Sequence, residues 1–456
     1  MVSFKVALFV RDQEYAETIE KCVLEFYDKF PGLEIDIISD KPIKTRFNNI
    51  NLSEIKLSSP IDKHNVLLDN LNNKYWLNKE IYKADPNFVF NNKKIDYLDQ
   101  IELTLKIRNL FDKKSYNLVL AGGAAYLIWT IPILISLEKG IPAYKIQTFN
   151  YINPNYEGVR IWFCPDPFWD LDKGNENDFS WKDIEMEKHI TSFKKSITSG
   201  KFNLASDAIK IRESFTPNKT KNILKNLIKL IISNDNVAKF RLSSFFNEKL
   251  NRKHYVEIAD VEKNYFLFPL NQPYDEQLLF RSPEFKNNLE TINLIANNLP
   301  RDAVLLIKEH PVNPGMIKSK DIRDLLNKYN NVKFISPEIN LYDALVDSVG
   351  LITINSTSGL EALVHNKNVL VLGRGYYRKI KGIYKQDSEK DLNKLMIKMM
   401  NESGGFNNQK ELDSTLKKIL NQTYPGPNNF PHKEKEYLKT LSEAIEYKLE
   451  QLYLLR

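Results

Sequence analysis

Ile307-Lys308-Glu309-His310-Pro311 and, further along, Ile354-Asn355-Ser356-Thr357-Ser358-Gly359-Leu360-Glu361-Ala362-Leu363 decide the reading of this chain. Each begins as the end of an apolar strand and stops at small or polar residues, and the second then turns into a helix. In an open parallel sheet, ligands sit at the carboxyl ends of the strands, where a helix start offers unpaired backbone N–H groups to an anion. A histidine after one strand and a Ser-Thr-Ser-Gly turn after another can together hold a phosphate. The pair points to a nucleotide-linked substrate.

Working outward, the pattern around these two stretches is a regular alternation. Tyr265–Leu270, Ala303–Lys308, Val332–Ile335, Gly350–Ile354 and Asn368–Leu372 read as strands. Ser282–Asn298, Ile317–Tyr329, Leu341–Asp347 and Gly359–His365 read as the helices between them. That alternation is the grammar of a parallel sheet with helices on its faces. The same grammar opens the chain, with a strand at Phe4–Val10, a helix at Glu14–Phe30 and a strand at Leu33–Ile38. It resumes with a helix at Ile95–Phe111, a strand at Tyr116–Ala121 ending in Gly122-Gly123, an apolar helix to Lys139 and a strand at Ile141–Gln147. The polar stretch from Lys41 to Lys94 reads as an irregular insertion, and Lys433–Leu454 as one long closing helix.

A chain of 456 residues exceeds one ordinary core, so two domains are expected. The expected fold class is α/β, two Rossmann-like doubly wound domains facing across a cleft. The boundaries expected are 1–255, then 256–427, then a C-terminal helical segment, 428–456, packing back across both domains. A hydrophobic content of 42% with 27% charged residues fits a soluble globular protein. The first strand meets Arg11-Asp12 too soon for a signal peptide, and the apolar run Tyr126–Leu137 is too short for a bilayer and holds Pro132. Two cysteines, Cys22 and Cys164, give neither a disulfide framework nor metal-ligand spacing. The localisation expected is cytoplasmic, with the inner face of the cell membrane as a further station.

The net charge of +7 is concentrated. Between Pro217 and Tyr255 there are nine Lys/Arg (Lys219, Lys221, Lys225, Lys229, Lys239, Arg241, Lys249, Arg252, Lys253) against Asp235 and Glu248. Within it, Ile223, Leu224, Leu227, Ile228, Ile231 and Ile232 recur at helical spacing, with Lys221, Lys225 and Lys229 on another face. Two readings stand: a helix packed on its own domain with a solvated lysine face, or a basic amphipathic helix on an anionic membrane. No nucleic-acid-binding module is present, so nucleic acid is not an expected partner.

Within the strand-end pair, His310 has Pro311 to fix its turn and can donate to a phosphate oxygen as charge builds on a leaving nucleotide. Ser356, Thr357 and Ser358 suit both an N-cap and a phosphate contact, since cap hydroxyls and the first N–H groups point the same way. Glu361, in the first turn, suits the helix dipole and could also accept from both ribose hydroxyls. Arg374 and Lys308 are candidate counter-charges, with surface ion pairing as their plainer use. None of the strands read above runs directly into an Asp-x-Asp motif, and no metal site is expected.

Lys308-Glu309-His310-Pro311, Ser356-Thr357-Ser358-Gly359-Leu360-Glu361-Ala362-Leu363 and Val369-Leu370-Val371-Leu372-Gly373 resemble the capsule polysaccharide biosynthesis family, which includes bacterial Kdo transferases. Phe266-Leu267-Phe268-Pro269-Leu270-Asn271-Gln272-Pro273 is similar to that family's aromatic-Pro-Leu strand leading into Gln-Pro-Glu. The resemblance spans roughly Tyr265 to Tyr377. It implies a metal-independent GT-B glycosyltransferase that moves an acidic sugar, Kdo or similar, from a CMP-activated donor to a surface polysaccharide or glycolipid. No cofactor is implied, since the CMP-sugar enters as donor substrate.

In that resemblance His310, with Pro311 and Lys308, and the turn Ser356-Thr357-Ser358-Gly359 hold the phosphate, and Glu361 holds the ribose. The family's Glu after Gln-Pro is replaced by Tyr274-Asp275-Glu276, which makes Asp275 and Glu276 the candidate catalytic acids, with Asp12 of the first strand as an outside choice. Two further readings remain beside the transferase: a non-catalytic export or assembly protein with a degenerate nucleotide site, and an enzyme transferring a polyol phosphate from a CDP carrier. An epimerase of the same fold would need further cleft acids and bases that the sequence does not offer.

Overall fold

The computed structural model describes residues 3–57, 81–86, 96–123, 125–149, 160–165, 183–199, 228, 236–261, 264–272, 275, 277–311, 313–387, 391–402, 404–424 and 434–454. The chain divides into two compact units. One comprises Met1–Val89, Lys93–Phe193 and Leu416–Arg456, and the other Phe90–Asn92 and Lys194–Thr415.

The first unit is built on a seven-stranded sheet. Its strands are β1 (Phe4–Phe9), β2 (Leu33–Ser39), β3 (Asn48–Asn51), β4 (Leu118–Gly122), β5 (Ala143–Phe149), β6 (Arg160–Cys164) and β13 (Thr423–Tyr424), in the order β13-β6-β5-β4-β1-β2-β3. From β5 to β3 every pairing is parallel. Helix α1 (Gln13–Leu24) links β1 to β2, and α2 (Tyr97–Lys113) and α3 (Leu127–Lys139) stand before and after β4. A capping box at Asp96 and Asp99 starts α2, and Gly140, in the left-handed region at φ +68°, ends α3. The edge formed by β6 and β13 runs antiparallel and was not foreseen.

The second unit holds six parallel strands: β7 (Tyr265–Pro269), β8 (Val304–Lys308), β9 (Val332–Ile335), β10 (Gly350–Thr353), β11 (Asn368–Val371) and β12 (Tyr384–Lys385). Their order is β12-β11-β10-β7-β8-β9. The chain starts at β7 in the middle, walks outward to β9, then returns to the other side of β7 at β10, which is the doubly wound order with its switch point between β7 and β10. Between the strands lie α6 (Asn288–Asn297), α7 (Ser319–Lys328), α8 (Leu341–Val346) and α9 (Ser358–Val364). Strand residues such as Phe266, Phe268, Leu305, Ile307, Phe334, Ile352 and Leu370 are buried in one continuous core, because a parallel sheet covered on both faces needs apolar runs.

The unit boundaries differ from the expected ones. Helix α5 (Asn236–Asn251) belongs with the second unit, because the Asn247 and Asn251 side chains donate to the carbonyls of Gly315 and Ile317 beside α7. At the other end, Thr423 and Tyr424 pair with Trp162 and Ile161 and so rejoin the first sheet. The closing helix, α12 (Glu434–Tyr453), packs on α1, with Leu441, Ala444, Ile445 and Leu449 in the core formed by β1 and β2. The amphipathic stretch Ile223–Ile232 lies, apart from Ile228, outside the described residues. No helix among the described residues is long and apolar enough to cross a membrane.

Candidate functional site

All six strands of the second sheet run the same way, so their carboxyl ends share one edge. On it lie Asn271 and Gln272 after β7, Glu309 and His310 after β8, Asn355 and Ser356 after β10, and Gly373 and Arg374 after β11. β8 and β10 flank β7 on opposite sides, two strand spacings or about 10 Å apart. The two stretches that decide the sequence reading therefore meet around the switch point.

The His310 loop is held from beneath by a carboxylate the sequence reading gave no role. Glu309 is fully buried and accepts from the Tyr255 hydroxyl (2.8 Å), the Gly315 N–H (3.1 Å) and the Ile317 N–H (3.2 Å). Burial outweighs these bonds and raises its pKa. Gly315 has φ +76°, and a Cβ there would stand 2.1 Å from the Ser244 carbonyl of α5, so only glycine fits. The Asn313 N–H reaches the His310 carbonyl at 3.1 Å, closing a turn with Pro311 at its second position. His310 is half-buried. Burial, with the Lys308 charge behind it, lowers its pKa to about 4, so near neutral pH it meets a ligand as a neutral imidazole.

Lys308 takes a different place from the one expected of a phosphate counter-charge. Its side chain is buried and donates to the Pro337 carbonyl at 2.8 Å. Burial lowers its pKa to about 8 and raises that of Glu361 to about 8, each group's charge opposing the other's shift. Glu361, on α9, also lines a small pocket with Asn340, Tyr342, Leu345 and His365. The Tyr342 and His365 rings lie 4.6 Å apart at 38°. A carboxylate, an amide and an aromatic pair thus share one opening.

The Ser356–Gly359 turn is fixed by its own neighbours. The Ser356 N–H donates to Thr353 Oγ1 at 3.0 Å, the Ser358 N–H to Ser356 Oγ at 3.4 Å, and the Tyr377 hydroxyl to the Ser356 carbonyl. Thr357 occupies the cap position without a side-chain cap bond. Ser358 Oγ is buried and has no hydrogen-bond partner among the described residues. A Cβ at Gly359 would lie 2.4 Å from the Tyr377 hydroxyl oxygen, which explains the glycine.

Asn355 ties the loops together. Its Nδ2 donates to the Gln277 carbonyl (2.7 Å) and to Ser282 Oγ (3.0 Å), and its Oδ1 accepts from Asn271 Nδ2 (3.2 Å). Ser282 Oγ in turn accepts the Arg374 N–H at 2.9 Å. Segments after β7, β10 and β11 are thereby locked at one edge, with half-buried Arg374 among them. None of Asn271, Asn355 or Ser282 was singled out from the sequence. The available signal was a buried-type amide directly after an apolar strand.

Of the candidate acids, Asp275 caps a turn, with Oδ1 accepting the Gln277 N–H at 3.0 Å. Glu276 lies outside the described residues. Asp12, in the first unit, caps α1 through the Tyr15 N–H (2.9 Å) and pairs with Arg11 at 2.5 Å. Burial works against the charge of Asp12, but the Tyr15 N–H and Arg11 still hold its carboxyl below the usual range. Among the described residues, no group of three or more His, Cys, Asp or Glu is arranged to hold a metal ion.

Residues 205–424 match the family described as Capsule polysaccharide biosynthesis protein. The matched segment is just under half of the chain, and through it the chain resembles the capsule polysaccharide biosynthesis family. It is 31% identical over 150 residues to the capsule polysaccharide modification protein LipB of Neisseria meningitidis, covering 30% of this chain and 36% of that protein. It is 27% identical over 132 residues to the capsule polysaccharide export protein KpsS of Escherichia coli, covering 27% of this chain and 33% of that protein. Each match thus spans about a third of the relative's own length. Among solved structures, the beta Kdo 2,7 transferase KpsC of Thermosulfurimonas dismutans aligns over 92% of this chain and 100% of that one, at 12% identity and a TM-score of 0.35.

Proposed function

We propose that this chain is a capsule polysaccharide biosynthesis protein and a GT-B glycosyltransferase that moves an acidic sugar, Kdo or a close relative, from a CMP-activated donor to a surface polysaccharide or glycolipid. The observation that carries the reading is the meeting of the His310 turn and the Ser356–Glu361 turn on either side of β7 at the sheet's switch point. In this reading the neutral His310 N–H, the Ser358 hydroxyl and the N–H groups of the turn hold the donor phosphate. Glu361 takes the ribose hydroxyls, with Tyr342 and His365 offering ring surface to the base. The acceptor hydroxyl attacks the anomeric carbon, the bond to the phosphate oxygen breaks, and CMP leaves with the electron pair. His310 and Arg374 stabilise the charge arriving on the phosphate, and fixed donors aimed at developing charge are the strongest catalytic device of this kind. The proton of the attacking hydroxyl passes to a carboxylate, for which Asp275 and Glu276 remain the proposed acceptors. Working at the inner face of the cell membrane suits a lipid-linked acceptor.

A second reading draws on one observation. The Asp275 carboxylate already caps the Gln277 turn, which suits a non-catalytic assembly protein with a retained nucleotide site. CMP release from CMP-Kdo, with and without an acceptor glycan, separates the two. Acceptor-dependent release that is lost in His310→Ala supports the transferase. Binding of CMP with no turnover on any acceptor supports the second reading.

A further inference from the structure

The outward face of α5 lies apart from the contacts that hold the His310 turn. Phe246 and Leu250, one turn apart, are 55% and 52% exposed, although most apolar side chains of this size are buried in the cores of their units. Lys249 is exposed between them, its Nζ lying 4.6 Å from the centre of the Phe245 ring, and Arg252 and Lys253 are exposed just beyond the helix end. At 100° per residue, Phe246, Lys249 and Leu250 fall within one side of the helix. The only acid of α5, Glu248, is partly buried on the other side, where its backbone backs onto Gly315. That inner side also carries Asn247 and Asn251, which bind the Gly315 and Ile317 carbonyls.

We propose that this face of α5 is a docking surface for an anionic lipid bilayer. Two protruding apolar side chains, with Lys249 beside them and Arg252 and Lys253 just past the helix end, match the boundary between acyl chains and negatively charged headgroups. A protein partner would more often meet an apolar centre with charges thinned out of it, whereas here a lysine stands between the two apolar residues. Lysine stems also lie along apolar surface while the ammonium reaches the headgroups. The inner face of the same helix anchors the segment that follows the His310 turn, so the membrane contact and the strand-end edge belong to one rigid arrangement. The surface proposal stands whether or not that edge binds a nucleotide.

The test uses the full chain with vesicles of phosphatidylcholine alone or mixed with phosphatidylserine, in a co-sedimentation assay at low and raised salt. The expected result is binding to the mixed vesicles only, weakened by salt because surface charges are screened. Phe246→Ser with Leu250→Ser, and separately Lys249→Glu with Lys253→Glu, should each weaken binding about tenfold or more. Melting temperature and any CMP-induced thermal shift should stay at the wild-type values in both, which keeps a failure of this proposal distinct from a failure of the donor reading. Equal binding to neutral and acidic vesicles, no binding to either, or unchanged binding in both variants overturns the proposal. So does a wild-type dimer that the Phe246 and Leu250 changes split, since the face would then belong to a second copy of the chain.

Discussion

Lys308, the last residue of β8, and Glu361, in the first turn of α9, oppose each other's shift at the strand-end edge of the second unit. Lys308 is spent on the Pro337 carbonyl, so it braces the site from inside, while Glu361 opens onto the pocket with Tyr342 and His365. The pair gives the two residues separable consequences. Lys308→Met should lower the melting temperature, because the buried Pro337 carbonyl loses its donor. Glu361→Gln should weaken CMP by roughly 0.5–1.5 kcal/mol, the net range for a hydrogen bond between neutral groups, since the raised pKa leaves the carboxyl largely protonated near neutral pH. Thermal melts and calorimetric CMP titrations of both variants check this. Equal CMP affinity in Glu361→Gln would leave the carboxylate a structural role only.

His310 sets a pH dependence whose sign follows from its burial. Its folded pKa, about 4, lies below the ordinary value of 6.5. Between those values the unfolded chain binds the proton more readily than the folded one. Stability from this group is therefore present above pH 6.5 and is lost as the pH falls toward 4. His310→Asn should flatten that loss by roughly 2–3 kcal/mol, read as a smaller difference between urea midpoints at pH 7 and pH 4.5. A parallel loss in both proteins would mean that His310 is not desolvated.

Gly359 is constrained by Tyr377 rather than by its own backbone. Gly359→Ala places a methyl group 2.4 Å from the Tyr377 oxygen and should cost about 1–3 kcal/mol, as overpacking does. Tyr377→Phe removes the bond to the Ser356 carbonyl while keeping the ring. Both should weaken nucleotide binding through a displaced turn. Combining Gly359→Ala with Tyr377→Ala should recover part of the stability lost to the clash, which a denaturation series measures.

The Asn355 brace predicts coupling. Asn355→Ala removes two donated bonds, and Ser282→Ala releases the Arg374 N–H as well as one of them. Each should destabilise by about 1–3 kcal/mol. The double variant should fall short of the sum by at least roughly 0.5 kcal/mol, because the two residues share a bond. Strict additivity would place them in separate networks.

The strands of the second unit were legible because a parallel sheet covered on both faces demands unbroken apolar runs, as in Phe266–Phe268 and Leu305–Ile307. The turn residues were legible because strand ends and helix starts have their own chemistry. What stayed hidden depends on contacts distant in sequence. Ser282–Asn298 reads as one helix, yet α6 begins only at Asn288, because Ser282 is drawn inward to Asn355 and Arg374 and Asn287 supplies the cap. Glu309 reads as an ordinary strand-end acid, and its buried role depends on Tyr255, Gly315 and Ile317. The antiparallel edge formed by Thr423–Tyr424 joins segments far apart in the chain, and nothing in a two-residue strand announces its partner. Asp275 and Asp12 show the converse: carboxylates in promising places can be occupied by caps.

The central claim is that the His310 turn and the Ser356–Glu361 turn form a single cytidine-nucleotide site. Calorimetric titration of the full chain with CMP, CDP, UDP and GDP, repeated on His310→Ala, tests it most directly. Saturable binding of CMP in preference to UDP and GDP is expected, weakened in His310→Ala by roughly 1.5–3 kcal/mol while the melting temperature without nucleotide at pH 7 stays near wild type. Absence of binding by all four nucleotides, or CMP affinity unchanged in folded His310→Ala, would contradict it.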